Sequence, residues 1–203
     1  RMRQTVRCAA ALAAAFLALC APCRAAEACE HPAYLAGFAD GTMRPDAPLT
    51  REQLAQMLYR LLPEDARKNT PRAAAYVDVA ANRWSYRAVC ALTELGVWDD
   101  MRRAQFDPER AVTGAEFAET LRRAGDCLPQ LAAAERPADA DAPLSRGQAV
   151  RALNALLGRA DETALDGVLT WCDVDEGSPY YADVREAANP HSVMPDGTWG
   201  AVG

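Results

Sequence analysis

Residues 46–51 read Asp46-Ala47-Pro48-Leu49-Thr50-Arg51, and 95 positions later the chain reads Asp141-Ala142-Pro143-Leu144-Ser145-Arg146. Each hydroxyl residue is followed three places on by Gln, Thr50 by Gln53 and Ser145 by Gln148, and a third copy between them runs Val112-Thr113-Gly114-Ala115-Glu116-Phe117. This is the spacing of a capping box. The hydroxyl accepts a backbone N–H inside the helix, and the longer side chain reaches back to the N–H of the cap residue. The apolar residue before each cap is placed to staple onto the helix, Leu49 on Leu54, Val112 on Phe117 and Leu144 on Ala149. Three such starts in about a hundred residues mark an internal repeat.

The offset of 95 holds well beyond the caps. It carries Leu58 onto Leu153, Leu61-Leu62 onto Leu156-Leu157, Asp78-Val79 onto Asp173-Val174, Tyr86 onto Tyr181 and Val89 onto Val184. Two blocks therefore recur in fixed order. The first is a helix whose residues Leu54, Met57, Leu58, Leu61 and Leu62 share one apolar face, stopped by Pro63 in one copy and Gly158 in another. The second is an Asp-Val pair followed by a helix. Asn82 is its expected cap in one copy, with Trp84 inside the helix and Gly96 at its end. In the other copy Pro179 takes the first helical position, and Asn189-Pro190 ends the helix. Ahead of the first capped helix, Asp40-Gly41 forms a turn into an extended Arg44-Pro45 segment, echoed by Phe106-Asp107-Pro108 and by Asp196-Gly197-Thr198. Stretches 63–75, 125–140 and 158–170 are Ala- and charge-rich and read as linkers. The fold class is mainly α, with short extended pieces at the turns.

Composition narrows the function. Arg1, Arg3 and Arg7 precede an apolar run over residues 9–21 and the small-residue exit Cys23-Arg24-Ala25, so residues 1–25 read as a secretory signal peptide. The run is too short to span a bilayer, and no transmembrane segment is expected in the mature chain. Cleavage after Ala25 leaves 18 basic against 28 acidic residues, a formal net charge of −10 where the whole chain carries −6. No basic patch survives, which argues against nucleic acid as a partner. Of seven cysteines, Cys29, Cys90, Cys127 and Cys172 remain. After export they permit two disulfides in three pairings; the alternative for Cys90 and Cys172 is a small buried residue. No Cys-x-x-Cys spacing remains, so neither zinc nor any other metal or cofactor is expected. Only two histidines exist, His31 and His191 at opposite ends, and no Gly-x-Ser-x-Gly or His-Glu-x-x-His occurs, so no enzyme is expected.

The ordered set resembles the S-layer homology domain. It comprises Asp-Val, an aromatic helix, Gly, Asp-Gly-Thr, an aromatic residue or Met before x-Pro, and a Thr-Arg-x-x helix. That family has three tandem repeats and anchors exported proteins noncovalently to the bacterial cell envelope. The resemblance implies a pseudo-threefold, three-lobed helical arrangement, with the capped helices packed centrally. It divides the chain into a partial first repeat over residues 31–75, a second over 76–126, and an eroded third with a closing Asp-Val helix over 127–192. A tail of 193–203 follows. The third repeat's own Asp-Val helix, expected between about 125 and 137, is absent or eroded into Cys127 to Arg136, and Gly114 stands where the other copies carry Arg.

The resemblance also implies a ligand: secondary cell wall polymer or a peptidoglycan-linked glycan, whose pyruvate ketals each present a carboxylate. A chain binding it would be secreted and held at the cell wall, on the S-layer surface. Arg51 and Arg146 stand in first helical turns, where the helix dipole disfavours a cation, so their placement points to a task. Free N–H groups at the helix start together with a guanidinium fork would receive a carboxylate. Thr50 and Ser145 cap those two helices, and Trp84 with Asp40-Gly41 would line the groove against a sugar ring. Each residue has a plainer alternative: snorkelling for the arginines, core packing for Trp84, a turn for Asp40. The rival function is a secreted protein–protein interaction module built on a degenerate repeat.

Overall fold

The structure is a computed structural model that describes residues 29–68, 76–98, 104–159, 168–194 and 199–201. The signal segment and the Asp196-Gly197-Thr198 echo lie outside the described residues. Six α-helices are described: α1 (Arg51–Leu61), α2 (Glu64–Lys68), α3 (Tyr86–Glu94), α4 (Gly114–Ala124), α5 (Arg146–Leu157) and α6 (Tyr181–Ala188). A 3-10 turn covers Pro129–Ala133, and three short strands, β1 (Cys29–His31), β2 (His191–Val193) and β3 (Trp199–Ala201), form an antiparallel sheet in that order. The fold is mixed and mostly helical.

All three capping boxes form. The Gln53 N–H donates to the Thr50 hydroxyl and the Gln148 N–H to that of Ser145, and the side-chain carbonyls of both glutamines accept from their cap N–H groups. Thr113 and Glu116 exchange the same pair. The staple residues Leu49, Leu54, Val112, Phe117 and Ala149 are buried, and Leu144 is half-buried. Pro63 follows the end of α1, and Gly158 closes α5 in left-handed backbone at φ 68°.

The three helix starts are bound to one another. The Leu49 N–H donates to the Leu144 carbonyl, Leu144 to Val112, and Val112 back to Leu49, a closed ring of three hydrogen bonds. Around it, the first two N–H groups of each capped helix are taken by carbonyls of a neighbouring loop. Arg51 and Glu52 donate to Arg110 and Pro108, Gly114 and Ala115 to Ala142 and Ala140, and Arg146 and Gly147 to Ala47 and Pro45. With the third N–H held by the cap hydroxyl, these helix starts are satisfied from within the protein. The N–H groups expected to receive a carboxylate are thus committed.

The capped helices pack on their neighbours as follows: α1 on α3, α5 on α6, and α4 on the 3-10 turn, which also touches α5. Between 125 and 137, where the resemblance leads one to expect an Asp-Val helix, the chain forms the 3-10 turn at Pro129–Ala133, with Leu131 fully buried. Two helix starts differ from expectation. Residues 81–85 form turns and α3 begins at Tyr86, with Ser85 in the N-cap position and its hydroxyl turned to Glu52. Pro179 also lies in a turn, and α6 begins at Tyr181. The supposed linker 63–75 carries α2 over Glu64–Lys68.

The Asp-Val aspartates hold the loops. The two carboxylate oxygens of Asp78 accept the N–H groups of Phe106 and Asp107, both at 2.8 Å. Those of Asp173 accept Met43 at 2.7 Å and Arg44 at 2.6 Å. Arg44 and Asp107 both sit at φ 54°, so the segment before each Pro is left-handed rather than extended. An ordinary residue costs about 1–3 kcal/mol there and stays only where its surroundings hold it. The carboxylate clamp is that hold. Since Asp173 grips a loop 130 positions earlier, the last Asp-Val block completes the first capped helix's loop. Pairing of β1 with β2 and donation by Tyr34 and Leu35 to the Ala187 carbonyl join the same two ends.

Candidate functional site

A groove runs between the 34–36 segment and α1. Gln53, Gln56, Met57 and Arg60 of α1 line it, together with Trp84 and Arg146. Gln53, Gln56 and Arg60 fall at i, i+3 and i+7, the polar edge beside the apolar face of α1. Its volume is about 60 Å³, room for a water or two, so a sugar ring would lie across the groove rather than inside it. Trp84 is 58% exposed, which removes core packing as its role. Its place in the turn before α3 explains this, since the helix's apolar stripe of Ala88, Val89 and Leu92 begins later.

Arg146 is 4% exposed and is held by backbone. Its Nε donates to the Met43 carbonyl at 3.0 Å and Nη2 to the Ala36 carbonyl at 3.1 Å, with the guanidinium 4.9 Å from the Phe38 ring centre. Burial, and after it the neighbouring Arg44, pulls its pKa down to about 10, so it stays charged at neutral pH. Arg51 is equally enclosed at 8% exposure, 4.7 Å from the Phe106 ring and 5.9 Å from Trp98. Neither is a solvated, snorkelling cation. Both hold the aromatic or methionine loop of another copy, Arg51 the Phe106 loop and Arg146 the Met43 loop.

Gly114 shows why the middle copy differs. A Cβ there would stand 2.5 Å from Pro137 Cγ and 3.3 Å from the Asp139 carbonyl. The loop facing α4 has closed into the space that a side chain occupies in the other two copies.

Asp40 and Gly41 form the expected turn, Gly41 at φ 79°. The Asp40 carboxylate accepts from the Thr42 hydroxyl at 2.6 Å, the Thr42 N–H at 3.1 Å and Arg44 Nη2 at 2.6 Å. The Thr42 hydroxyl and then Arg44 lower its pKa to about 2. The groove thus unites Arg146 with Trp84 and leaves Arg51, Asp40, Gly41, Thr50 and Ser145 outside its lining. Sequence reasoning missed Arg60, Gln53 and Gln56; their shared helix edge was the available signal. It also missed the bidentate pair in which Arg83 donates to buried Glu52 at 2.7 and 2.9 Å.

Cys29, Cys90, Cys127 and Cys172 are free thiols. None of the three pairings that the sequence permits is formed among them. Cys90 is buried, and Cys172 is exposed, against the alternative of a buried residue at both. The two histidines, at opposite ends of the sequence, lie with ring centres 5.0 Å apart.

Among the described residues, no helix is long and apolar enough to cross a membrane. Cell surface glycoprotein 1 of Acetivibrio thermocellus is 35% identical over 89 residues, 44% of this chain and 4% of that protein. The cellulosome-anchoring protein of the same organism is 29% identical over 92 residues, 44% of this chain and 20% of that protein. The chain thus spans a small part of either relative. Residues 33–55, which supply Tyr34, Leu35, Ala36 and Gln53 to the groove and carry the first capping box, match the S-layer homology domain.

Proposed function

We propose that this chain is a noncatalytic cell-envelope anchoring module that binds a carboxylate-bearing wall polysaccharide across the groove beside α1. The observation that carries the reading is Trp84, exposed at the rim of a groove whose wall holds the cations Arg60 and Arg146. An exposed indole face suits a sugar ring, and a guanidinium suits a carboxylate such as a pyruvate ketal. Arg60, half-buried at the groove edge, contacts the carboxylate. Arg146 adds positive field from the floor and keeps the 36–43 loop in place. The match over residues 33–55 and the surface-protein relatives support anchoring, and with it secretion to the cell wall.

In the same reading the scaffold is three-lobed, built from repeats at 31–75, 76–126 and 127–192. The hydrogen-bonded ring of Leu49, Val112 and Leu144 and the two Asp clamps support it. Arg51 opens α1 of the first repeat but lies under the Phe106 loop, away from the groove, and the closed space at Gly114 leaves the second repeat without its cation.

Sedimentation of purified protein with cell-wall sacculi, before and after extraction of their secondary polymers, tests the proposal. Pelleting with intact sacculi and its loss after extraction is the expected result. Equal pelleting with both preparations, or with neither, sinks it. Recovery of a partner protein from the sacculi would favour the interaction-module reading.

A further inference from the structure

The closure of the two chain ends encloses a cluster that the groove does not use. His31 Nδ1 on β1 lies 2.8 Å from Glu186 Oε1 on α6, and His191 Nε2 on β2 lies 3.1 Å from Glu186 Oε2. Glu186 and His191 are 1% and 2% exposed. One ligand atom from each of the three falls within 4.8 Å of the others. Trp199 of β3 stacks on His191 at 3.8 Å with ring planes 4° apart, walling one side.

The hydrogen bond behind His191 defines the chemistry in front of it. Its Nδ1 lies 2.8 Å from the Asn189 carbonyl. A carbonyl only accepts, so Nδ1 carries a proton, and Nε2 is the ring atom turned to the Glu186 carboxylate. A backbone carbonyl behind an imidazole is also the usual support for a metal-ligating histidine. Two imidazoles and one carboxylate form the ligand set of three-coordinate protein zinc sites, with a fourth position left for water. Bonds of about 2.0–2.1 Å at a tetrahedral angle put ligand atoms roughly 3.3 Å apart, and these three lie within 4.8 Å of one another, so side-chain shifts of at most about 1.5 Å complete the site. Arg159, buried nearby and donating to the Pro32 carbonyl at 3.0 Å, is the competing cation.

We infer that His31, Glu186 and His191 form a binding site for one divalent transition metal of the zinc class, which latches the two ends of the chain together. The sequence conceals it, because its ligands are separated by 155 and 5 positions rather than by a short recognisable spacing. The metal bridges β1, α6 and β2, so its binding free energy stabilises the closed form.

The test uses the full chain, stripped with a chelator and titrated with zinc chloride and, separately, cobalt chloride. One ion per chain is expected, with a melting temperature raised by roughly 5–10 °C at a free zinc concentration 100 times the dissociation constant. Cobalt should give the intense visible bands of a four-coordinate site without thiolate charge transfer. His31→Ala and His191→Ala should each weaken zinc binding by more than about 100-fold. No uptake, or uptake unchanged in both variants, overturns the inference and leaves a buried imidazolium–carboxylate pair. A thiolate-to-cobalt band overturns it in favour of cysteine binding. Should His191→Ala fail to fold, the wild-type cobalt spectrum and the half-buried His31→Ala variant decide.

Discussion

Asp173→Ala is the sharpest test of how the chain ends are joined. The carboxylate accepts the N–H groups of Met43 at 2.7 Å and Arg44 at 2.6 Å, and Arg44 is held at φ 54°. A hydrogen bond to a charged group contributes about 1.5–3 kcal/mol. Met43 is buried, so its orphaned N–H bears that cost in full, whereas exposed Arg44 regains water and loses about 0–1 kcal/mol. The expected loss is therefore about 1.5–4 kcal/mol. Asp173→Asn should lose at least as much, because one of its two contacts would set an amide N–H against a backbone N–H. Urea unfolding with an unchanged m-value measures the loss as a lower midpoint. Hydrogen exchange adds a locational check, since amides of 36–50 should lose protection before those of α4. A loss below about 1 kcal/mol, or an even loss of protection across the chain, would refute the clamp.

Gly114→Arg, which restores the residue of the other copies, should destabilise the protein by about 1–3 kcal/mol through collision with Pro137, and a Tm at or above wild type would show that the space is open. Removing the cap hydroxyls of Thr50, Thr113 or Ser145 by substitution with Ala should cost about 1 kcal/mol each in denaturant unfolding, equal effects being expected because all three boxes are complete. Asp40 is depressed to about 2 from an ordinary 3.8, so the stability it adds is present above about pH 4 and fades as pH falls through 2. Its carboxyl resonance in a pH titration should report that midpoint, and a midpoint near 4 would show that Thr42 and Arg44 do not hold it.

The helix starts were readable because their information is local: a cap, its partner three residues on, and a staple all lie within six residues of sequence. The offset of 95 was readable because the repeat preserves order. What escaped depends on distance. His31 and His191 read as opposite ends until β1 pairs with β2. Arg51 and Arg146 read as exposed first-turn cations, yet each lies under the loop of another copy, a contact spanning 103 positions for Arg146 and Met43. The 3-10 turn at Pro129 reads in the sequence as a helix either absent or eroded into Cys127 to Arg136. Arg44 before Pro45 reads as extended by local sterics, and Asp173 overrides that preference from the far end of the chain. Trp84 reads as a helical residue because Asn82 is a good cap by type, whereas the cap position falls to Ser85 and leaves Trp84 in the preceding turn.

The groove itself is best tested by the pelleting of Trp84→Ala with intact cell-wall sacculi beside wild type. Trp84 is exposed, so its loss should change folding stability by no more than about 0.5 kcal/mol, and any change in pelleting then reports binding. Pelleting should fall at least tenfold while the helical circular dichroism is unchanged. Wild-type pelleting by the variant would contradict the assignment of this groove as the polymer-binding surface.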